Sequence, residues 1–228
     1  MPSPSLTRLD SRLGEVNCLI EICRSRKARG AKNIVTEEPA LLRGAIVLLS
    51  SHLEGFFEDL VVDVVEAIDT GAATPSVFPE AIRARQVLGE PSRWTNADQT
   101  KRWEYVRGAA AAPLFHDNEP HVAGNLDAEL HIAGFANPGT KEIKELFKTV
   151  GIADCWAAFH VIEPQQGYKN EVDAIVGRRN QIAHGDLSAI VTILDIDAYA
   201  RNFRHTATVF SRIAEDHVRS SLPGFSWR

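Results

Sequence analysis

Residues 40–68 read ALLRGAIVLLSSHLEGFFEDLVVDVVEAI. Ala40, Leu41, Ala45, Ile46, Leu48, Leu49, Leu53, Phe56, Phe57, Leu60, Val61, Val64, Val65 and Ile68 recur at helical spacing and fill a broad apolar face. Arg43, His52, Glu54, Glu58, Asp59, Asp63 and Glu66 interrupt it, so the stretch is a buried helix and not a membrane span. So wide a stripe needs neighbours on several sides, which predicts a central helix in a bundle. Asp69-Thr70-Gly71 supplies the stop.

The flanking sequence gives that helix its partners. Leu6, Leu9, Leu13, Val16, Leu19, Ile20 and Cys23 predict a first helix over Ser5 to Arg29, ended by Gly30, with basic residues in its last turns. Shorter helices are expected at Pro79 to Leu88 and at Asp98 to Ala112, the latter with Trp103, Val106 and Ala110 inward and Pro113 as its stop. Residues 116–140, with Asn118, Pro120, Gly124, Gly134 and Pro138, form the least regular part and are read as a long connection or insertion. Helical patterns resume at Lys141 to Val150, Ala153 to Val161 and Asn170 to Ala183. After an irregular crossing from Leu187 to Leu194, Asp195 is placed to cap a last long helix to Arg219. Its inward set is Ile196, Tyr199, Phe203, Thr206, Phe210 and Ile213, and Val191 to Leu194 is at most a brief extended piece. The expected fold class is all-α, an up-and-down helical bundle with an irregular middle, built as one domain over residues 1–228.

Composition narrows the function. A chain of 228 residues, 44% hydrophobic and 24% charged, is ordinary for a folded soluble protein. Met1-Pro2-Ser3-Pro4 leads straight into a charged amphipathic segment, so no signal peptide is expected. Cys18, Cys23 and Cys155 show no paired framework, which suits a reducing cytoplasm, with buried thiols as the default. A net charge of −5 argues against nonspecific coating of nucleic acid but leaves room for a local positive cleft. Two basic clusters exist: Arg24 to Arg29 with Lys32, read as a solvated helix end, and Arg178-Arg179 with Lys169 nearby.

The second cluster opens the stretch Arg178-Arg179-Asn180-Gln181-Ile182-Ala183-His184-Gly185. Residues four apart share a helix face, so Asn180 and His184 stack, while Arg179 and His184 diverge by about 140°. Gly185 relaxes the backbone after His184, and a second copy related by a twofold axis would gather two arginines and two histidines around one cleft. RNA backbone cleavage needs proton transfer to and from the 2′-hydroxyl and the 5′-leaving oxygen, which histidine can perform near neutral pH. It also needs positive charge on the phosphate, which the planar arginine fork provides. Asn180 can orient the phosphate, the histidine or a partner's backbone, and nothing in the set calls for a metal or a cofactor. Spacing alone favours a plainer role for the same residues, capping the last carbonyls of the helix.

Arg179-Asn180-Gln181-Ile182-Ala183-His184 resembles the arginine, four-to-six residues, histidine motif of the HEPN superfamily of small helical ribonucleases, in the form with a polar residue after the arginine. The wider stretch Glu171 to Asp186 looks like the compact bacterial members, including the ribonuclease-L-like and stand-alone defence or toxin groups. Leu49 to Glu58 is similar to their second signature, an acid in a long central helix. The resemblance implies a metal-independent endoribonuclease that cleaves single-stranded RNA at a homodimer interface and leaves 2′,3′-cyclic phosphate. It implies catalytic roles for Arg179, Asn180 and His184, with Glu54 orienting Arg179 or His184. Toxin–antitoxin or antiviral action, and restraint by a nucleotidyltransferase-type antitoxin, are implied partners and setting. Some relatives are catalytically silent and only bind RNA or proteins, which is the alternative reading.

Other constellations are weaker. His116, His121 and His131 with Asp117, Glu119, Asp127 and Glu129 lack compact metal-ligand spacing and are read as solvated loop residues. No Walker loop or dinucleotide fingerprint occurs. Trp94, Trp103 and Trp156 are assigned to packing, and Trp227 to an exposed tail.

Overall fold

A computed structural model describes residues 2–89, 91–112, 114, 116–164, 167–186 and 188–227, with residues 91–93 and 109–111 described in the backbone alone. Among these residues the chain is all-helical: α1 (Pro4–Ala28), α2 (Ile34–Gly71), α3 (Glu80–Leu88), α4 (Pro91–Asn96), α5 (Gln99–Ala111), α6 (Glu129–Ile132), α7 (Thr140–Lys148), α8 (Cys155–Ile162), α9 (Gly167–Ala183) and α10 (Ile193–Ser221). No helix is long and apolar enough to cross a membrane among the described residues.

The central helix is longer than its apolar stripe. It begins at Ile34 and runs through Pro39, placed near enough to the start that only one carbonyl of the early turns loses its partner. From Leu42 to Ile68 its inward positions are buried, whereas Ala40 is exposed and Leu41 and Leu48 are half-buried. Phe56 and Phe57 anchor the core. Phe57 meets Phe210 edge-on at 5.0 Å, Phe56 meets Phe203 at 5.9 Å, and Trp156, Phe147 and Phe159 close around Phe210.

Ion pairs show how the long helices run. The start of α1 meets the end of α2 through Arg8 with Asp59 and Asp63, and its end meets the start of α2 through Arg26 with Glu37 and Lys27 with Glu38. The two are therefore antiparallel. α10 is likewise antiparallel to α1, since Arg204 pairs with Asp10, Ser211 donates to Ser3 and Arg24 pairs with Asp197. At the buried end of this bundle the Ser3 hydroxyl caps α1 by accepting from the Leu6 amide, while Asp63, nearly fully buried, accepts from the Ser5 amide at 2.8 Å and from Arg8.

Several boundaries and placements differ from the sequence reading. Thr192, not Asp195, is the N-cap of α10; Asp195 stands at N3 and reaches back to the Thr192 amide at 2.8 Å, a reciprocal capping box, so Ile193 and Leu194 are already helical. Asp154 caps α8 by accepting from the Ala157 amide. Trp103 and Val106, expected inward, are 62% and 43% exposed, because α5 packs against α3 and not against the core. The Ala110 side chain and Pro113 lie outside the described residues. Trp227 is not an exposed tail: it is buried, with Nε1 donating to the Ser211 carbonyl and its ring meeting Phe225 edge-on. Cys23 and Cys155 are buried, and burial pushes the Cys155 thiol up to about 12, but Cys18 is exposed on the outer side of α1.

The middle segment is irregular in backbone yet well held. The Asp69 carboxylate, buried at the end of α2, accepts from His121 Nε2 at 2.9 Å and from the amides of Gly124 and Leu126. His131 is 1% exposed, bonds the Thr149 carbonyl through Nδ1 at 3.1 Å and meets Gln86 at 3.2 Å; burial lowers its pKa to about 4. His121 and His131 are thus internal struts and not solvated loop residues, while His116 is exposed as expected. No group of three or more His, Cys, Asp or Glu suited to a metal ion occurs among the described residues.

Candidate active site at the end of α9

α9 carries the functional stretch because one side of it is apolar and the other is not. Val172, Ile175 and Val176 are buried against α2 and α10, and Glu171 accepts from Asn202 of α10 at 2.7 Å. Lys169, Asp173, Arg178, Gln181 and His184 fall on the half-buried to exposed side.

The helix ends in a Schellman turn. The Asp186 amide donates to the Gln181 carbonyl and the Gly185 amide to the Ile182 carbonyl, each at 3.0 Å, with Gly185 at φ 80° and His184 as the C-cap residue. A side chain at Gly185 would meet no atom, so the requirement for glycine there is conformational and not steric. Main-chain bonds therefore satisfy the last carbonyls. The His184 side chain is exposed and takes no part in capping; it makes no hydrogen bond or ion pair among the described residues.

Arg179 is held from two sides. Its Nη1 donates to Asn137 Oδ1 and to Asn180 Oδ1, both at 3.0 Å. Asn137 lies in the turn before α7 at φ 51°, a left-handed conformation that asparagine tolerates better than most residues. That turn is itself tied to α9, because Asp173 accepts from the Thr140 amide at 2.8 Å and from the Thr140 hydroxyl at 3.0 Å, capping α7 from a neighbouring helix. One guanidinium nitrogen is engaged by two neutral amide oxygens, and no carboxylate pairs with the charge among the described residues. Arg179 is thus a positioned cation on the same helix end as the exposed His184, with no carboxylate partner among the described residues.

Of the four residues singled out in the sequence, Arg179 and Asn180 are joined directly, and His184 follows within the next turn of the same helix end. Glu54 is half-buried on α2 and makes no hydrogen bond or ion pair to Arg179 or His184 among the described residues. Its carboxylate acts instead on Glu58: burial first, then the charges of Glu54, Asp59 and Glu129, raise the Glu58 pKa. Sequence reasoning missed Asn137 and Asp173. The Asn137-Pro138-Gly139 turn signal was legible, but nothing in it says which helix the turn abuts.

Comparison with known proteins agrees with the motif and the fold. The family model RiboL-PSP-HEPN matches residues 11–216, most of the chain and both signature segments. No curated protein and no solved structure matches the chain. The match and the all-helical bundle lead to one assignment: the chain belongs to the RiboL-PSP-HEPN family, within the HEPN superfamily, and that membership points to a nuclease or other RNA-related function.

Proposed function

We propose that the protein is a metal-independent endoribonuclease that cleaves single-stranded RNA at the C-terminal end of α9, in a site completed by a second copy of the chain. The observation that carries this reading is the Arg179 guanidinium, held by Asn137 and Asn180 with no carboxylate partner among the described residues, on the same helix end as an exposed His184 that makes no hydrogen bond or ion pair among them. In the reaction the 2′-hydroxyl loses its proton to a base and its oxygen attacks the adjacent phosphorus. The P–O5′ bond breaks, the leaving oxygen takes a proton from an acid, and a 2′,3′-cyclic phosphate forms. Arg179 offers its remaining N–H groups to the non-bridging oxygens as their charge grows. One imidazole cannot be both base and acid in the same step, which is the chemical motive for a homodimer in which each copy contributes a histidine. Asn180 sets the guanidinium; the role for Glu54 that the family resemblance implies has no direct contact with Arg179 or His184 behind it among the described residues and would have to act at longer range.

The single domain over residues 1–228, a cytoplasmic location and a toxin–antitoxin or antiviral setting with a nucleotidyltransferase-type restraining protein belong to the same proposal, supported by family membership alone. The test is cleavage of end-labelled mixed-sequence RNA in excess chelator, with chemical identification of the product ends. Cleavage leaving cyclic phosphate supports the reading. No cleavage across substrates and protein concentrations overturns it in favour of a silent RNA- or protein-binding module. Adding excess His184→Ala protein to intact protein tests the composite site, because mixed dimers that hold one histidine are expected to be inactive and to depress cleavage, whereas a site complete in one copy leaves it unchanged.

A further inference from the structure

About 16 Å along α9 from Asn180 lies a second basic feature, an open groove of about 640 Å³ between α7, α8 and α9. Lys141, Lys144 and Lys169 line it, with Asp154 as the one acid among its lining residues. Asp154 is spent on Lys144, at 2.5 Å, and on the α8 cap. Lys141 and Lys169 are exposed and form no ion pair among the described residues, and the Lys169 ammonium is poised 6.0 Å from the Trp156 ring centre. In a chain of net charge −5, two unpaired lysines converging on a groove with an aromatic wall are a local reversal of sign.

The groove is in line with the site. Lys169, Asp173 and Asn180 fall within about 40° of one another around α9. The segment that borders them runs the opposite way: Asn137 sits at Arg179, Thr140 at Asp173, and Lys141 and Lys144 at the groove. Between the two basic ends stand Asp173 and Glu142, whose carboxylates disfavour a phosphate there. Phosphates are therefore welcome at two separated places on one helix face.

We propose that this groove is a second phosphate-binding subsite for the same RNA strand, gripping nucleotides outside the scissile position while Arg179 and His184 act at the α9 end. The inference rests on the RNA-directed reading of that site. It makes the enzyme's substrate a strand several nucleotides long, since a ligand must span the acidic stretch to engage both ends. Lys141 and Lys169 are positioning residues that touch phosphates remote from the reacting bond.

The test uses full-length protein carrying His184→Ala, so that RNA survives, and compares it with the same chain carrying Lys141→Ala and Lys169→Ala in addition. Binding of fluorescein-labelled single-stranded RNA is followed by anisotropy over a range of salt. The expected result is affinity weakened about tenfold for a 12-nucleotide strand, with the salt slope reduced by about 1.4, the value for two lost phosphate contacts on a single strand. Binding of a dinucleotide is expected to be unchanged, and Lys141→Arg with Lys169→Arg to restore the long-strand affinity. Equal affinity and equal salt slope for the two proteins, or an equal loss on the dinucleotide, overturns the subsite. Absence of RNA binding by the His184→Ala protein overturns it as well. If intact protein fails to cleave but RNA binding depends on the lysines, the nuclease reading fails and the groove stands.

Discussion

The middle segment and the end of α9 use the same residue types to opposite ends. Around Asp69 and Thr149, His121 and His131 are buried and each is hydrogen-bonded to a partner across the fold. At the end of α9, His184 is exposed, and the polar residue next to Arg179 serves to aim it and not to neutralise it. The difference separates a histidine held by the fold from one that the proposed function puts to use. The first has its hydrogen bonds made for it by the fold; the second has its backbone fixed, here by the Schellman turn, and its ring left free. The two regions meet at Asn137, where the middle segment ends and Arg179 begins to be positioned.

The contrast can be broken first at its extremes. His184→Ala and Arg179→Ala are expected to lower RNA cleavage by about 10²-fold or more while leaving the melting temperature within about 2 °C, because neither side chain supports the core. Asp69→Ala is expected to do the reverse. Removing a buried carboxylate that accepts from His121, Gly124 and Leu126 should lower unfolding free energy by about 1–3 kcal/mol, read by urea denaturation, with cleavage per folded molecule little changed. Asn137→Gly keeps the φ 51° turn but deletes the acceptor for Arg179, so a several-fold loss of cleavage with near-native stability is expected. Gly185→Ala should cost about 1 kcal/mol through its positive φ alone, since no atom stands in the way of the added methyl.

The buried histidines also set a pH dependence. Burial lowers the His131 pKa from 6.5 to about 4, and lowers those of His217 and His52 in the same direction. A group whose folded pKa is depressed in this way binds its proton more readily when unfolded. Its contribution is therefore complete above about 6.5 and is lost progressively as pH falls toward about 4. Equilibrium unfolding between pH 7 and pH 4 should show that decline, and His131→Gln should flatten part of it.

Much of the bundle was legible because its signal is periodic. The stripe from Leu42 to Ile68 and the inward residues of α10 at Ile196, Phe203, Phe210 and Ile213 are buried as the spacing predicts. What periodicity could not show was contact made by chance of topology. Trp103 and Val106 follow a helical pattern but their helix packs on α3 and α4 and leaves them exposed, and Trp227 is drawn inward by a carbonyl of α10 that no local pattern reveals. The site divides in the same way. Arg179, Asn180 and His184 belong to one short motif and could be read together, and Gly185 announced the turn that ends the helix. Asn137 is forty-two residues away from Arg179 in sequence, and its role exists only once Asp173 has docked the start of α7.

The central claim is that the free imidazole and the uncompensated guanidinium at the end of α9 perform RNA cleavage. The most direct measurement is the cleavage rate of end-labelled single-stranded RNA by intact protein, His184→Ala and Arg179→Ala, in excess chelator, with the melting curve of each recorded alongside. The account predicts cleavage by the intact protein, leaving 2′,3′-cyclic phosphate, and its loss in both variants with their melting curves unchanged. Undiminished cleavage by both folded variants would contradict it.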